Sequence, residues 1–161
     1  MRVVDAVDVA SRERVARVVF VRDSVDVNGT LVPILDEVGN LLGELEADST
    51  FGADLVEGRH RFVTATDPVA ALDAELRRGR TYFVDVDVRF GARGPRFALR
   101  PVPRAEVTRA RMRAKSCTPL ELLDTPRGRR EDAEETLREA ATWLSVGSPR
   151  ALEPGDGLPI R

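Results

Sequence analysis

From Val15 to Val102 apolar and polar residues alternate in short runs, broken every few residues by glycine, asparagine, aspartate or proline. That is the period of strands, not of helices. The clearest run follows the turn Leu76-Arg77-Arg78-Gly79: Tyr82, Val84, Val86, Val88 and Phe90 fall on one face, Asp85, Asp87 and Arg89 on the other. It predicts a half-buried antiparallel strand over 80–90. A matching turn, Leu55-Val56-Glu57-Gly58, leads into 59–66, where His60, Phe62 and Thr64 oppose Arg61, Val63 and Ala65. Further strands are expected over 15–22, 31–35, 41–45, 50–56 and 96–102, and Pro33 marks the second of these as an edge strand or a bulge. Asn28-Gly29, Glu37-Val38-Gly39-Asn40 and Asp67-Pro68 supply the turns. Val69–Leu76 contains alanine and glutamate, which favour a helix, but its place between two hairpin turns argues for a strand. Residues 1–13 fit a strand or a short helix. The expected fold is mainly β: a seven- to eight-stranded antiparallel β-sandwich, immunoglobulin- or prealbumin-like, over residues 14–103.

The pattern changes after Pro101-Val102-Pro103. Residues 104–115 lack glycine and proline and read as a helix. Thr118-Pro119-Leu120-Glu121 has the form of a capping box with proline at the first helical position, so a short helix is expected from Pro119. Residues 130–146 read as a longer helix, with Glu131, Asp132, Glu134 and Glu135 at its positive end. Its apolar stripe is Ala133, Leu137, Ala140, Ala141 and Leu144, and Gly147 stops it. Trp143 and Leu144 are the residues expected to contact the sandwich or a partner. The reading therefore divides the chain into a sandwich (14–103), a helical extension (104–147) and a flexible tail (148–161) rich in proline and glycine.

Composition narrows the functional classes. The chain has 161 residues, 42% hydrophobic and 32% charged, which suits a packed core. Aromatics are 5%, too few for a stacking platform for single-stranded nucleic acid. Net charge is −2, but it is unevenly placed: residues 1–58 hold 5 basic against 12 acidic side chains, residues 59–161 hold 20 against 15. Lys115 is the single lysine and the other 24 basic side chains are arginine. Genomic base composition accounts for that bias, and so does recognition of phosphate or carboxylate by bidentate guanidinium groups. The one cysteine, Cys117, permits no intrachain disulfide and fits a reducing compartment. Acids interrupt the N-terminal Met1–Val9, so it lacks the apolar region of a signal peptide, and no run approaches the ~18 apolar residues of a membrane span. A cytoplasmic protein is expected, or an envelope-associated one if a leader has been removed.

Four segments resemble an uncharacterised bacterial family of small β-sandwich domains, often found on lipoproteins, and more loosely the PEGA domain. They are Phe20-Val21-Arg22, Leu42-Gly43-Glu44-Leu45, Glu57-Gly58-Arg59-His60-Arg61-Phe62 and Arg78-Gly79-Arg80-Thr81-Tyr82-Phe83-Val84. The resemblance covers a little over half the chain, and only the last segment is moderately specific. The chain departs from the family context in lacking a lipid-attachment cysteine and in carrying the helical extension. The resemblance implies an accessory or adhesion module with no catalytic residues to transfer.

Candidate chemistry is sparse. His60 is the only histidine, which removes His-based triads and multi-histidine metal sites within one chain. Packing on a sheet is its bland reading. Cys117 lies near Arg113 and Lys115, which can lower a thiol pKa, but it has no second cysteine or histidine beside it in sequence. Asp85 and Asp87 fall on one strand face about 7 Å apart, a spacing open to a divalent cation or an acid/base pair, and equally to a solvated face. No phosphate-loop, nucleophile-elbow or zinc-helix motif occurs, and Gly91–Arg96 is a basic glycine loop followed by a strand. The strongest charge signal is the 104–115 helix: Arg104, Arg109, Arg111, Arg113 and Lys115 against Glu106 alone. Its alternatives are a solvated face and packing against the acidic N-terminal half. The reading favoured is a non-catalytic protein-interaction or accessory module without cofactor or bound metal, whose partner is another protein or a second copy of the chain. Polyanion or nucleic-acid binding through the arginine-rich helix comes second, and a metal enzyme using Asp85 and Asp87 third.

Overall fold

The computed structural model describes residues 15–22, 29–119, 127–129, 132–146 and 150–159. Eight strands run in order through the first two thirds: β1 (Ala16–Arg22), β2 (Val32–Leu35), β3 (Asn40–Leu45), β4 (Ser49–Leu55), β5 (Gly58–Thr64), β6 (Ala70–Leu76), β7 (Arg80–Gly91) and β8 (Gly94–Pro101). Helices α1 (Val107–Ser116) and α2 (Ala133–Val146) follow, with short strands β9 (Thr118–Pro119), β10 (Arg127–Arg129) and β11 (Leu158–Pro159). The first sheet has the order β11-β7-β1-β4-β9 with β8 also on β7, and the second the order β10-β3-β2-β5-β6. The mainly-β sandwich expected from the alternation is present. Two pairings depart from an antiparallel plan: β1 runs parallel to β7, Arg17 opposite Thr81 and Arg22 opposite Val86, and short β9 runs parallel to β4.

Alternation makes each sheet two-sided. Inward residues such as Val18, Phe20, Ile34, Phe62, Leu72 and Val84 form the core between the sheets. Phe20 stacks on Phe51 and meets Phe62 edge-on, each with ring centres 5.1 Å apart. The outward faces are also covered. On the first sheet Val21 and Phe83 pack with Val102, Val107 and Ala110 under α1. On the second, Leu35, Leu41, Val63 and Ala71 pack with Ala140 and the partly buried Leu137 and Leu144 of α2. The layers are therefore helix, sheet, sheet, helix.

Several expectations are corrected. Pro33 is not on an edge, because β2 pairs with both β3 and β5; nor is it a bulge, since it pairs with Glu44 and the register shift between Ile34 and Leu35 places its extra residue, Leu42, on β3. Pro119 is itself strand, not a first helical residue: Thr118 and Pro119 extend the first sheet parallel to Ser49 and Thr50, and the remainder of the helix expected there, 120–126, lies outside the described residues. Arg104–Glu106 forms a separate 3-10 turn ahead of α1. The division at residue 103 does not follow the packing, because β9, β10 and β11 all complete sheets of the sandwich. Nor do residues 150–159 hang free. Leu152 is buried in the main core, and its backbone bonds the free edge of β6, Leu152 N–H to Asp73 O and Glu75 N–H to Leu152 O, both 2.9 Å. Leu158 and Pro159 then pair with β7. This segment straps the open side of the sandwich. Gly147, residues 1–13 and the Asn28 half of its turn lie outside the described residues.

Candidate functional site

The two strand carboxylates singled out by spacing face α1, and Asp85 is not available as a ligand. It is 1% exposed. Arg113 of α1 reaches both its oxygens, at 2.8 and 2.7 Å, and Arg100 of β8 donates to Oδ2. Arg100 also approaches Asp87 at 3.5 Å and Glu106 at 3.0 Å. Burial lowers the Arg100 pKa, but the bond to Glu106 and the charges of Asp85, Asp87 and Glu106 outweigh it and hold the guanidinium above its ordinary value. A carboxylate whose lone pairs are taken by two guanidiniums has little capacity left for a cation. This network joins the helix to the sheet. Among the described residues no group of three His, Cys, Asp or Glu side chains converges as a metal site.

The five cations expected to act together are divided by the fold. Arg113 turns inward to Asp85, and Arg104 donates to the Gly157 carbonyl at 2.6 Å. Arg109, Arg111 and Lys115 remain exposed. On a helix, residues three or four apart share a face, so a run of cations at spacings of two splits between faces: Arg109 lies on the side of Arg113, and Arg111 with Lys115 on another.

His60 reports a place sequence reasoning passed over. Its Nε2 donates to the Val56 carbonyl at 2.7 Å, and its Nδ1 lies 3.3 Å from Glu37 Oε1, an ion pair when the ring carries both protons. The ring lies parallel to Phe62, with centres 6.4 Å apart. It borders a cleft of about 630 Å³ between β5, β6, α2 and the strap, lined also by Arg61, Asp73, Glu75, Leu137 and Leu152. Arg61 and Asp73 close one side as a cross-strand pair at 2.7 Å, and the hydrogen bond to Asp73 raises the Arg61 pKa against the lowering effect of burial.

A second concavity of about 660 Å³ lies between α2 and the β5–β6 turn, lined by Pro68, Val69, Arg138, Thr142, Trp143 and Val146. Asp67-Pro68 is a cis peptide there. Trp143 is 40% and Val146 86% exposed. Leu144 makes the contact with the sandwich expected of it, packing under α2. The i, i+3 relation of Trp143 and Val146 was visible in the sequence; the proline turn that faces them was not.

Three other features complete the survey. Arg22 ends β1 fully buried, donating from Nη1 to the carbonyls of Thr30 (2.5 Å) and Leu45 (2.8 Å), with its guanidinium 5.2 Å from the Phe97 ring centre. Cys117 is buried beside α1, its Sγ 3.8 Å from the Arg22 carbonyl. The basic glycine loop is narrower than expected: β7 and β8 pair out to Gly91 and Gly94, leaving Ala92 and Arg93 as the turn. Phe90 near its tip is 72% exposed.

Comparison with known proteins finds no matching family model, no related curated sequence and no matching solved structure. Among the described residues no helix is long and apolar enough to cross a membrane.

Proposed function

We propose that the protein is a non-catalytic interaction module that holds an apolar segment of a partner protein against α2. The observation that carries the reading is the groove between α2 and the β5–β6 turn. Trp143 and Val146 stand exposed along one side, and the other side is formed by exposed Pro68 and buried Val69. A half-exposed tryptophan beside a fixed proline turn is the kind of rigid anchor that dominates protein interfaces. The apolar stripe of α2 is already buried by Leu137, Ala140 and Leu144, so Trp143 and Val146 are surplus to folding. The state of Asp85, held by two arginines, speaks against the metal-enzyme alternative. The resemblance to lipoprotein-associated sandwich domains points to the same class of accessory role.

The test is a paired pull-down from native lysate with wild type and a Trp143→Glu/Val146→Glu variant of unchanged circular dichroism. The reading requires at least one protein retained by the wild type and lost by the variant. Identical captured sets from the two baits overturn it.

A further inference from the structure

The opposite layer carries a feature that the groove does not explain. Between Asp85 and Cys117 the chain has nine basic and three acidic side chains. The three acids are engaged: Asp85 by Arg100 and Arg113, and Asp87 and Glu106 by Arg100. Arg89, Arg93, Arg96, Arg109, Arg111 and Lys115 are all exposed, and none has an ion-pair partner among the described residues.

The hairpin shows the arrangement most clearly. Arg89 and Arg96 are direct cross-strand partners, and like charges placed opposite one another destabilise a ribbon. Strand alternation puts both on the face that carries Asp85, Asp87 and Arg100, the face α1 covers. Arg93 sits in the two-residue turn, and Gly94 adopts φ +111° so that the turn can close. The Arg96 side chain lies along Gly91, within 4 Å of where a Cβ would stand. Phe90 and Pro95, the next cross-strand pair, face the other way. Cys117, just past α1, lies against Arg22, whose register partner on β7 is Val86. The C-terminal end of α1 and the root of the hairpin therefore occupy the same end of the sheet.

We infer that the β7–β8 hairpin is a cationic finger that, with the outward cations of α1, binds the phosphate backbone of nucleic acid. Two arginines opposed across a ribbon, with Cβ atoms about 5 Å apart, can offer both guanidiniums to one phosphate, whose oxygens accept from both. The remaining cations, spread over a helix and a hairpin, match a chain of phosphates better than a single headgroup. A bilayer-inserting tip would place its apolar residue at the apex. Here Arg93 occupies the apex and Phe90 lies behind it, where its exposed ring can stack on an unpaired base.

Fluorescence anisotropy with a labelled single strand and a labelled duplex of about 20 nucleotides tests this, with phosphatidylglycerol vesicles as the competing surface. The expected result is binding to at least one nucleic acid, with log K falling against log salt at a slope of magnitude about 4–5 for six contacts. An Arg89→Ala/Arg93→Ala/Arg96→Ala variant should weaken binding more than about tenfold and reduce the slope by about 2–3. Its melting temperature should not fall, because a like-charge pair is removed. Arg109→Ala/Arg111→Ala/Lys115→Ala should reduce the slope similarly. Absence of binding near 20 mM salt, an unchanged slope in both variants, or binding to vesicles but not to nucleic acid overturns the inference. Trp143→Glu/Val146→Glu should leave the anisotropy unchanged, so this idea and the groove fail independently.

Discussion

The two helices cover equivalent sheet faces by opposite means. Under α2 the contact is apolar, Ala140 with Leu137 and Leu144 resting on Leu35, Val63 and Ala71. Under α1 a small apolar patch around Phe83, Val107 and Ala110 is joined by a buried carboxylate and two arginines. Apolar burial is additive and tolerant of small shifts. A buried charge must keep its partners, because the desolvation cost it carries is offset only while they stay in place. The α1 layer therefore depends on geometry and the α2 layer on area. That difference also shapes the surfaces: α1 directs Arg113 inward and shows Arg109, Arg111 and Lys115, while α2 shows Trp143 and Val146.

The largest expected effect comes from breaking the polar side. Asp85→Ala leaves Arg100 and Arg113 facing an apolar void. Removing one member of a buried pair costs about 3–5 kcal/mol, and because both arginines are over a third exposed the lower end applies, about 3 kcal/mol. Thermal unfolding should show a fall of about 6–12 °C for a chain of this size. Asp85→Leu combined with Arg100→Met and Arg113→Met should recover most of it. If the triple variant is as unstable as Asp85→Ala, the network specifies the docking of α1, and an apolar contact of the α2 kind cannot replace it. On the apolar side Val63→Ala removes two methyl groups from a site with no exposure. It should cost about 2 kcal/mol. Urea midpoints at low and high salt distinguish the two layers: the Val63→Ala loss should not change with salt, and the Asp85→Ala loss should.

The strands were legible because turn residues bound each run and period two survives where one face stays partly exposed, as in Asn40–Leu45; fully buried β2 was legible by its turns and β-rich composition alone. Even Ala70–Leu76 was readable as a strand from its neighbours against its composition. The helical extension was legible as helices but not as part of the sandwich. Thr118-Pro119 reads as a helix start and pairs instead with the edge of β4, and nothing local in Arg127–Arg129 or Leu158–Pro159 announces a sheet partner. The same limit applied to the candidate site. Spacing placed Asp85 and Asp87 on one face correctly, but not the helix that returns 28 residues later to set Arg113 against Asp85. Charge counting found the arginines and could not say which turn inward, because that depends on tertiary partners.

The strap touches both layers, through Arg104 ahead of α1 and through Leu152 beside the α2 cleft, so loosening it shows which layer yields first. Gly157 lies against Tyr82: a Cβ there would stand 2.7 Å from the ring and 2.9 Å from Arg80 Cβ. Gly157→Ala should lift the strap at a cost of about 1–2 kcal/mol. Hydrogen exchange should then rise first in α1, since Arg104 bonds the carbonyl of the displaced residue; a rise confined to α2 would contradict that order.

The smallest effect is the most specific. The Tyr82 hydroxyl accepts from Arg77 N–H at 2.9 Å and donates to the Pro154 carbonyl at 3.2 Å. Tyr82→Phe should cost about 1 kcal/mol at neutral pH. Burial holds the Tyr82 pKa above its usual 10.0, outweighing the bond from Arg77 N–H and the charges of Arg80 and Arg77, which lower it. The neutral phenol is thus favoured in the folded state. Its contribution is complete below the unfolded value of about 10 and is lost as pH rises through the higher folded value. Urea midpoints should show the wild type losing its advantage over Tyr82→Phe above about pH 10. A difference between the two proteins that stays constant through that range would mean the hydroxyl anchors the strap no better neutral than ionised, and would remove the donated bond to Pro154 from the account of how the strap is held.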